Sequence, residues 1–283
     1  MKKQVVCINW GTKYGAPYVN RLYEMVKANI TPPFRFVCFT DNRDGFLPEI
    51  DCFDLPEMPG FMPQNTLGQW PKSRLWAPEL GDLDGPFLFI DLDVVITGSL
   101  DPFFEYGADE DVVVARNAAK PLHRLGQTSI YRMPVGALAP LQALFAADPQ
   151  AVADRYRFEQ HFVTKNAPNG VKFWPKDWVQ HFRIQCIPRF PLNFFTPPKI
   201  PKNCRVVIFA GGLNPPDAAL GQYLPSRPHL PPLAHIKRAL GLKRPIKSMR
   251  QFLYPATWVA EIWEKADHAS ASEAAGKQDR TKP

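Results

Sequence analysis

The chain has 283 residues, enough for one α/β domain with additions, and its 45% hydrophobic and 22% charged residues read as globular rather than disordered. No run approaches the roughly 18 apolar residues of a spanning helix. The absence of Gly-x-x-x-x-Gly-Lys, Gly-x-Gly-x-x-Gly and Gly-x-Ser-x-Gly patterns argues against phosphate-loop kinases, dinucleotide dehydrogenases and serine hydrolases.

In chain order, the basic start and the brief apolar run Val5–Ile8 fit a first strand better than a signal peptide, because the run stops at Asn9-Trp10-Gly11. Further strands are predicted at Phe34–Phe39, Phe87–Ile90, Val112–Ala115 and Arg205–Phe209, and helices at Asn20–Ala28, Lys72–Leu80 and Ala137–Ala146. Strands separated by helices predict an α/β fold with a mostly parallel sheet covered on both faces, whose ligands gather at the carboxyl ends of the strands. Asn9 to Gly15, Thr40-Asp41-Asn42 and Asp91-Leu92-Asp93 stand at those ends, and all are polar or glycine-containing. Five cysteines, with no Cys-x-x-Cys pair, predict reduced thiols in a cytoplasmic protein.

The strongest local signal is Phe87-Leu88-Phe89-Ile90-Asp91-Leu92-Asp93-Val94-Val95-Ile96, where two carboxylates interrupt a buried apolar run. At a spacing of two in an extended chain they leave on the same side, and like charges so held need a neutralising partner. Mg²⁺ or Mn²⁺, bound by one or two carboxylates and phosphate oxygens, would supply it and would compensate a departing diphosphate. The alternative is a strand end whose aspartates make turn or capping bonds.

Pro71-Lys72-Ser73-Arg74-Leu75-Trp76, then Gly85 to Asp93, then Leu100-Asp101-Pro102-Phe103-Phe104 resembles the family 8 glycosyltransferases and their bacterial relatives. Cys7 to Tyr14 and Phe36 to Asp41 are similar to that group's nucleotide-binding edge; the resemblance covers roughly residues 5–217. It implies a GT-A fold, a nucleoside-diphosphate sugar donor, a divalent metal on Asp91 and Asp93, and Lys72 beside the diphosphate. It also implies Asn9 and Tyr14 near the nucleotide. As a mobile point charge Lys72 suits a phosphate, with a solvent-facing helix lysine as the alternative; Tyr14 could equally pack within its loop. Phe158-Glu159-Gln160-His161-Phe162 looks like the segment that relatives place beside the reacting sugar carbon. Glu159 and Gln160 are therefore candidate catalytic residues, or else a polar turn.

Val206 to Pro216 resembles a late strand and glycine loop in which relatives often carry a metal-binding histidine. Here Ile208 and Ala210 occupy the candidate positions, so the third protein ligand is missing from the pattern. Gly211 and Gly212 could still bring backbone N–H groups to a phosphate, or form a plain turn. The six histidines show no ligand spacing and read as packing or surface residues.

The net charge of +7 is uneven: from Lys199 onward there are 14 Lys/Arg against 6 Asp/Glu. The expected organisation is a catalytic domain over 1–217, a basic and aromatic extension over 218–265, and a disordered tail over 266–283. The basic segment suits peripheral contact with an anionic membrane at its inner face, or a solvated surface. The predicted activity is metal-assisted transfer of a sugar from a nucleotide-sugar donor to a hydroxyl of a glycan or lipid-linked acceptor. Two rivals stay open. One is a nucleotide-sugar-binding protein weakened in turnover. The other, a basic nucleic-acid-binding protein, is not expected, because no recognised module is present.

Overall fold

Three short apolar runs pair in parallel to organise the first of two units in this computed structural model, which describes residues 2–58 and 60–278, the last eight as backbone only. β1 (Gln4–Asn9) is buried along its whole length and pairs with β2 (Arg35–Thr40) from Gln4↔Arg35 to Asn9↔Thr40. β3 (Asp51–Asp54) continues outward from β2, and β4 (Pro86–Ile90) lies on the other side of β1. The chain then leaves for β5 (Val94–Ile96), part of the second unit, and returns for β6 (Val113–Arg116), β7 (Gly126–Pro134) and β8 (Lys172–Phe173). The sheet order is β3-β2-β1-β4-β7-β6-β8, parallel except where β7 runs against β4 and β6.

This is the expected α/β architecture, a mostly parallel seven-stranded sheet with flanking helices. The crossover from β1 to β2 is α1 (Ala16–Lys27), which buries Val19, Leu22, Tyr23, Met25 and Val26. α2 (Asp101–Glu105) follows β5; α3 (Ala139–Ala147), α4 (Pro149–Tyr156) and α5 (Glu159–Asn166) lie between β7 and β8.

The helix expected over Lys72–Leu80 is instead a 3-10 run, Trp70–Trp76. Pro71 sets its first turn, and Pro78 disfavours the α conformation at Ala77, which extends with ψ 148°. The run is held by aromatic packing rather than by helix length. Trp70 stacks on Phe145 of α3 (centroids 4.9 Å apart, planes at 7°), and Trp76 meets Phe162 of α5. Fully burying side chains of this size contributes about 1.5–3 kcal/mol each, enough to fix a short turn that has few backbone bonds of its own.

The second unit comprises Asp93–Gly98 and the chain from Asp177 onward. β5 pairs antiparallel with β10 (Val206–Ile208), which pairs in parallel with β9 (Val179–His181). Helices α6 (Pro215–Ala219), α7 (Pro232–Leu240), α8 (Pro245–Met249) and α9 (Thr257–Gln278) follow. α9 runs on past Ala266, where composition predicts an unstructured tail; residues 279–283 of that tail lie outside the described residues. All five cysteines are free thiols. Among the described residues no helix is long and apolar enough to cross a membrane.

Asp101 ties the start of α2 to the sheet. It accepts from Lys3 Nζ at 2.7 Å and from the Thr31 hydroxyl at 2.7 Å. Burial pushes this carboxyl upward, but bonds from Lys3, Thr31 and Ser99 outweigh it and hold the pKa at about 2. A depressed folded-state pKa gives stability that is complete above the unfolded value of about 3.9 and is lost as pH falls through the folded value. Asp101→Asn should therefore cost about 1 kcal/mol at pH 7, after allowance for solvent screening. In urea titrations the difference from the parent should shrink between pH 4 and pH 2.

Candidate functional site

At the carboxyl edge of the first unit's sheet, β4 ends at Ile90, and the Asp91 backbone N–H donates to the Ser129 carbonyl of β7 at 2.8 Å. The chain turns at Leu92–Asp93 before β5 begins. The expectation of one extended run through both aspartates is therefore corrected. Leu92 fills the core at 3% exposure, and the two carboxylates sit on a turn rather than on one strand face. Asp91 closes β4 in the first unit, whereas Asp93 is counted with the second.

Lys72 is not a solvent-facing helix lysine. Its side chain is 6% exposed, and Nζ lies 2.5 Å from one Asp91 oxygen and 2.7 Å from the other. It also reaches the Thr128 carbonyl at 3.4 Å and stands 5.2 Å from the Phe89 ring centroid. The buried 3-10 turn aims the ammonium at the strand end. With the ammonium buried and the carboxylate half-buried, the pair is costly to break, so turn and strand end are locked together electrostatically.

Glu159, at the start of α5, is 5% exposed, and both of its oxygens are engaged by protein donors. The Thr128 hydroxyl donates to Oε1 at 2.9 Å, and the Gln69 backbone N–H donates to Oε2 at 3.0 Å. Its carboxylate thus braces the residue that precedes the Lys72 turn. Gln160 next to it is half-buried, and its carbonyl accepts from the Thr164 hydroxyl.

Lys72, Thr128, Tyr131 and Glu159 line a small cavity closed by Trp76, Val114 and other apolar side chains. The Tyr131 hydroxyl is buried without a hydrogen-bond partner among the described residues. Burial, followed by the charges of Asp91 and Glu159, raises its pKa well above the phenol range, so it stays protonated.

Asn9 ends β1 and serves as a clip. Its Nδ2 donates to Thr40 Oγ1 at 3.3 Å, while its Oδ1 accepts from the Gly15 N–H at 3.1 Å, holding the loop into α1. Gly11 N–H donates to Asp41 at 2.9 Å, which joins the loops after β1 and β2. Tyr14 is half-buried; Lys13 caps its hydroxyl at 2.6 Å, and its ring lies 4.8 Å from that of Tyr18.

In the second unit, Gly211 and Gly212 are exposed, with φ of +75° and +81° that favour glycine. Arg183 donates to the Gly211 carbonyl at 3.0 Å and to the Tyr223 carbonyl at 2.9 Å. Ile208 is buried in β10 opposite His181. Burial, aided by Arg183, lowers the His181 pKa to about 4, so this imidazole is neutral at pH 7. Among the described residues no three His, Cys, Asp or Glu side chains gather as a metal-holding group. Two carboxylates suit a hard cation that keeps waters and phosphate oxygens, not an all-protein cage.

Sequence reasoning missed Gln69, Thr128 and Tyr131. The last two lie on β7, whose Gln127-Thr128-Ser129 start and central Arg132 disguise a buried strand as a loop. The usable signal was Ile130-Tyr131-Arg132-Met133, bounded by Pro134.

No family model matches the chain, and no curated protein sequence matches it. Solved structures do. The galactosyltransferase LgtC, in complex with donor and acceptor sugar analogues, is similar over 90% of this chain and 98% of its own, with a TM-score of 0.53 at 14% identity. An active-site mutant of LgtC matches 75% of this chain and 89% of its own (TM-score 0.52, 14% identity). The bifunctional glycosyltransferase WbbM in its apo form matches 76% of this chain and 46% of its own (TM-score 0.51, 14% identity). At these identities the likeness is one of fold. This chain has the GT-A fold.

Removing one member of the buried pair should be worse than removing both. Asp91→Ala should lower stability by about 3 kcal/mol, whereas Lys72→Met with Asp91→Leu should lose less than half of that. Urea midpoints of the single and double variants check the order.

Proposed function

We propose that the chain transfers a glycosyl group from a nucleoside-diphosphate sugar to a hydroxyl of a glycan or lipid-linked acceptor, with Mn²⁺ or Mg²⁺ held by Asp91 and Asp93. The observation that carries this reading is the Lys72–Asp91 pair at the carboxyl edge of β4, in a sheet built like those of known glycosyltransferases. A buried pair is a poor investment for stability alone, because apolar residues of the same volume would serve as well. It is useful where the ligand brings one charge of each sign.

A divalent cation and a diphosphate do so. On their arrival Asp91 would exchange the ammonium for the cation, and Lys72 would turn from Asp91 to a diphosphate oxygen. Each charged group changes partner without ever being stranded in a dry site. In the transfer, the anomeric C–O bond breaks and its electron pair leaves on the diphosphate, where Lys72 offsets the growing charge. A new C–O bond forms to the acceptor oxygen, whose proton passes to the diphosphate or to water. The cation would supply Lewis-acid stabilisation of the same leaving group.

In this reading Glu159 is a positioning residue, because its oxygens hold Thr128 and Gln69. Gln160, half-buried beside it, is the better candidate to meet the donor sugar. Asn9 shapes the loop that would receive the nucleotide, and Tyr14 would flank it. The positive-φ Gly211 and Gly212 would let a backbone approach a phosphate.

One observation favours a second reading, a nucleotide-sugar-binding protein with little turnover. Ile208 and Ala210 offer no side-chain metal ligand at the positions where the family 8 glycosyltransferases that the sequence resembles often carry a histidine. Donor hydrolysis measured with Mn²⁺ separates the two, since the second reading predicts binding without cleavage.

A thermal-shift panel of nucleotide sugars, with and without Mn²⁺, tests donor binding. A donor at a hundred times its Kd should raise the Tm by roughly 5 °C in a metal-dependent way, and Asp93→Ala should remove that rise. Silence across the panel, or an Asp93→Ala variant that responds like the parent, would contradict the proposal.

A further inference from the structure

We propose that an open cleft at the β6–β8 margin of the first unit binds a sugar carrying an oxyanion, a phosphate or a carboxylate, through Arg116 and Arg124. The inference does not depend on the transfer proposed above: a chain that bound no nucleotide sugar would still carry this cleft.

Residues 112–147 contain four Lys/Arg and no Asp or Glu. Arg132 is used inside the fold, where its guanidinium donates to the carbonyls of Phe103, Phe104 and Ala108. The other three, Arg116, Lys120 and Arg124, are exposed. Arg116 ends β6 at the carboxyl edge of the sheet, opposite Gly126 of β7, and the loop that follows carries the other two.

The two arginines are held in place by one ring. β8 sets Phe173 beside Val114 of β6, and the Tyr106 hydroxyl donates to the Phe173 carbonyl at 3.1 Å. The Arg116 and Arg124 guanidiniums both lie over the Phe173 ring, 4.5 and 5.6 Å from its centroid. Arg124 also donates to the Val171 carbonyl at 3.1 Å, whereas Arg116 has no hydrogen bond or ion pair among the described residues. An aromatic face orients a guanidinium without occupying its N–H donors. Both forks therefore keep donors for the paired oxygens of a carboxylate or phosphate.

Shape selects what brings that oxyanion. The cavity measures about 550 Å³ and is lined also by Pro121, Leu122, His123 and Lys172. That volume falls in the range of small-molecule sites, and a bare phosphate would leave most of it empty. Leu122, 98% exposed, and Pro121 offer an apolar wall to the C–H face of a sugar ring, and the His123 imidazole offers a partner to a hydroxyl. A long polyanion fits less well. Lys172 is already paired with Asp111 at 2.6 Å, and Asp109 and Glu110 next to that aspartate are exposed. The positive zone thus stops at the cleft and does not continue as a track for a phosphate backbone.

The test is calorimetric titration of the full chain, at about 0.1 M salt, with glucose 6-phosphate, glucuronate, glucose and inorganic phosphate. At least one charged sugar should bind at least about tenfold more tightly than glucose and than inorganic phosphate, and the tighter of the two identifies the oxyanion. Arg116→Gln with Arg124→Gln should lose at least about tenfold of that affinity. Both side chains are exposed, so the variant should melt with the parent. Saturating nucleoside diphosphate with Mn²⁺ should leave the charged sugar bound, which separates this cleft from the site of the proposed transfer. Charged sugars that bind no better than glucose or inorganic phosphate would overturn the proposal. So would a variant that binds like the parent, displacement by the nucleotide, or RNA held more tightly than either sugar.

Discussion

One ion pair, buried Lys72 with half-buried Asp91, constrains the rest of the carboxyl edge of the first unit's sheet. Lys72 is buried and Asp91 is half-buried, so the ammonium cannot be left alone and the elements that position the two groups are bound to one another. The lysine depends on a 3-10 turn held by Trp70 and Trp76 against α3 and α5. The aspartate depends on the end of β4, anchored to β7 through Ser129. Glu159 closes the circuit by holding Thr128 of β7 and the Gln69 backbone together. Backbone turn, strand end and helix start form one electrostatic assembly.

Sheet topology makes that assembly feasible. Because β7 runs antiparallel to β4, its polar beginning, not its end, lies where β4 stops. Thr128 and Ser129 can therefore serve the strand end while Tyr131 and Met133 join the core. Asn9 and Thr40 repeat the device one and two strands away, bonding to each other where β1 and β2 terminate. The polar groups at this edge form bonded clusters, as expected where a buried backbone must end without stranding donors or acceptors.

Much of the edge was legible from sequence, and for physical reasons. The runs that became β1, β2, β4, β6 and β10 are apolar because those strands are buried, β1 and β2 between parallel neighbours on both sides, and polar residues follow β1, β2 and β4 at the carboxyl edge of the sheet. Periodicity is a weaker guide where packing decides the conformation. Lys72 to Leu80 has helical spacing, yet Pro71 and Pro78 confine the turn to 3-10 geometry, and aromatic contacts replace the missing helix length. β7 escaped notice because Thr128, Ser129 and Arg132 are polar residues satisfied by tertiary partners, such as Glu159 for Thr128 and the carbonyls at the end of α2 for Arg132. In sequence the aspartates look like part of one extended strand because Leu92 and the valines after Asp93 continue the apolar pattern; the turn is set by where the chain leaves one sheet for the other. Glu159 was found as a residue of consequence, but its two donors could not be read from a helix pattern.

The exchange of partners proposed for Lys72 is tested most directly by titrating Mn²⁺ calorimetrically, with and without a saturating nucleoside diphosphate. If the ammonium guards Asp91 until phosphate draws it away, the nucleotide should tighten Mn²⁺ binding by at least about tenfold, and Mn²⁺ should tighten nucleotide binding by the same factor. Lys72→Met should bind Mn²⁺ alone more tightly than the parent and lose most of the enhancement. Manganese affinity indifferent to both the nucleotide and the lysine would contradict the exchange.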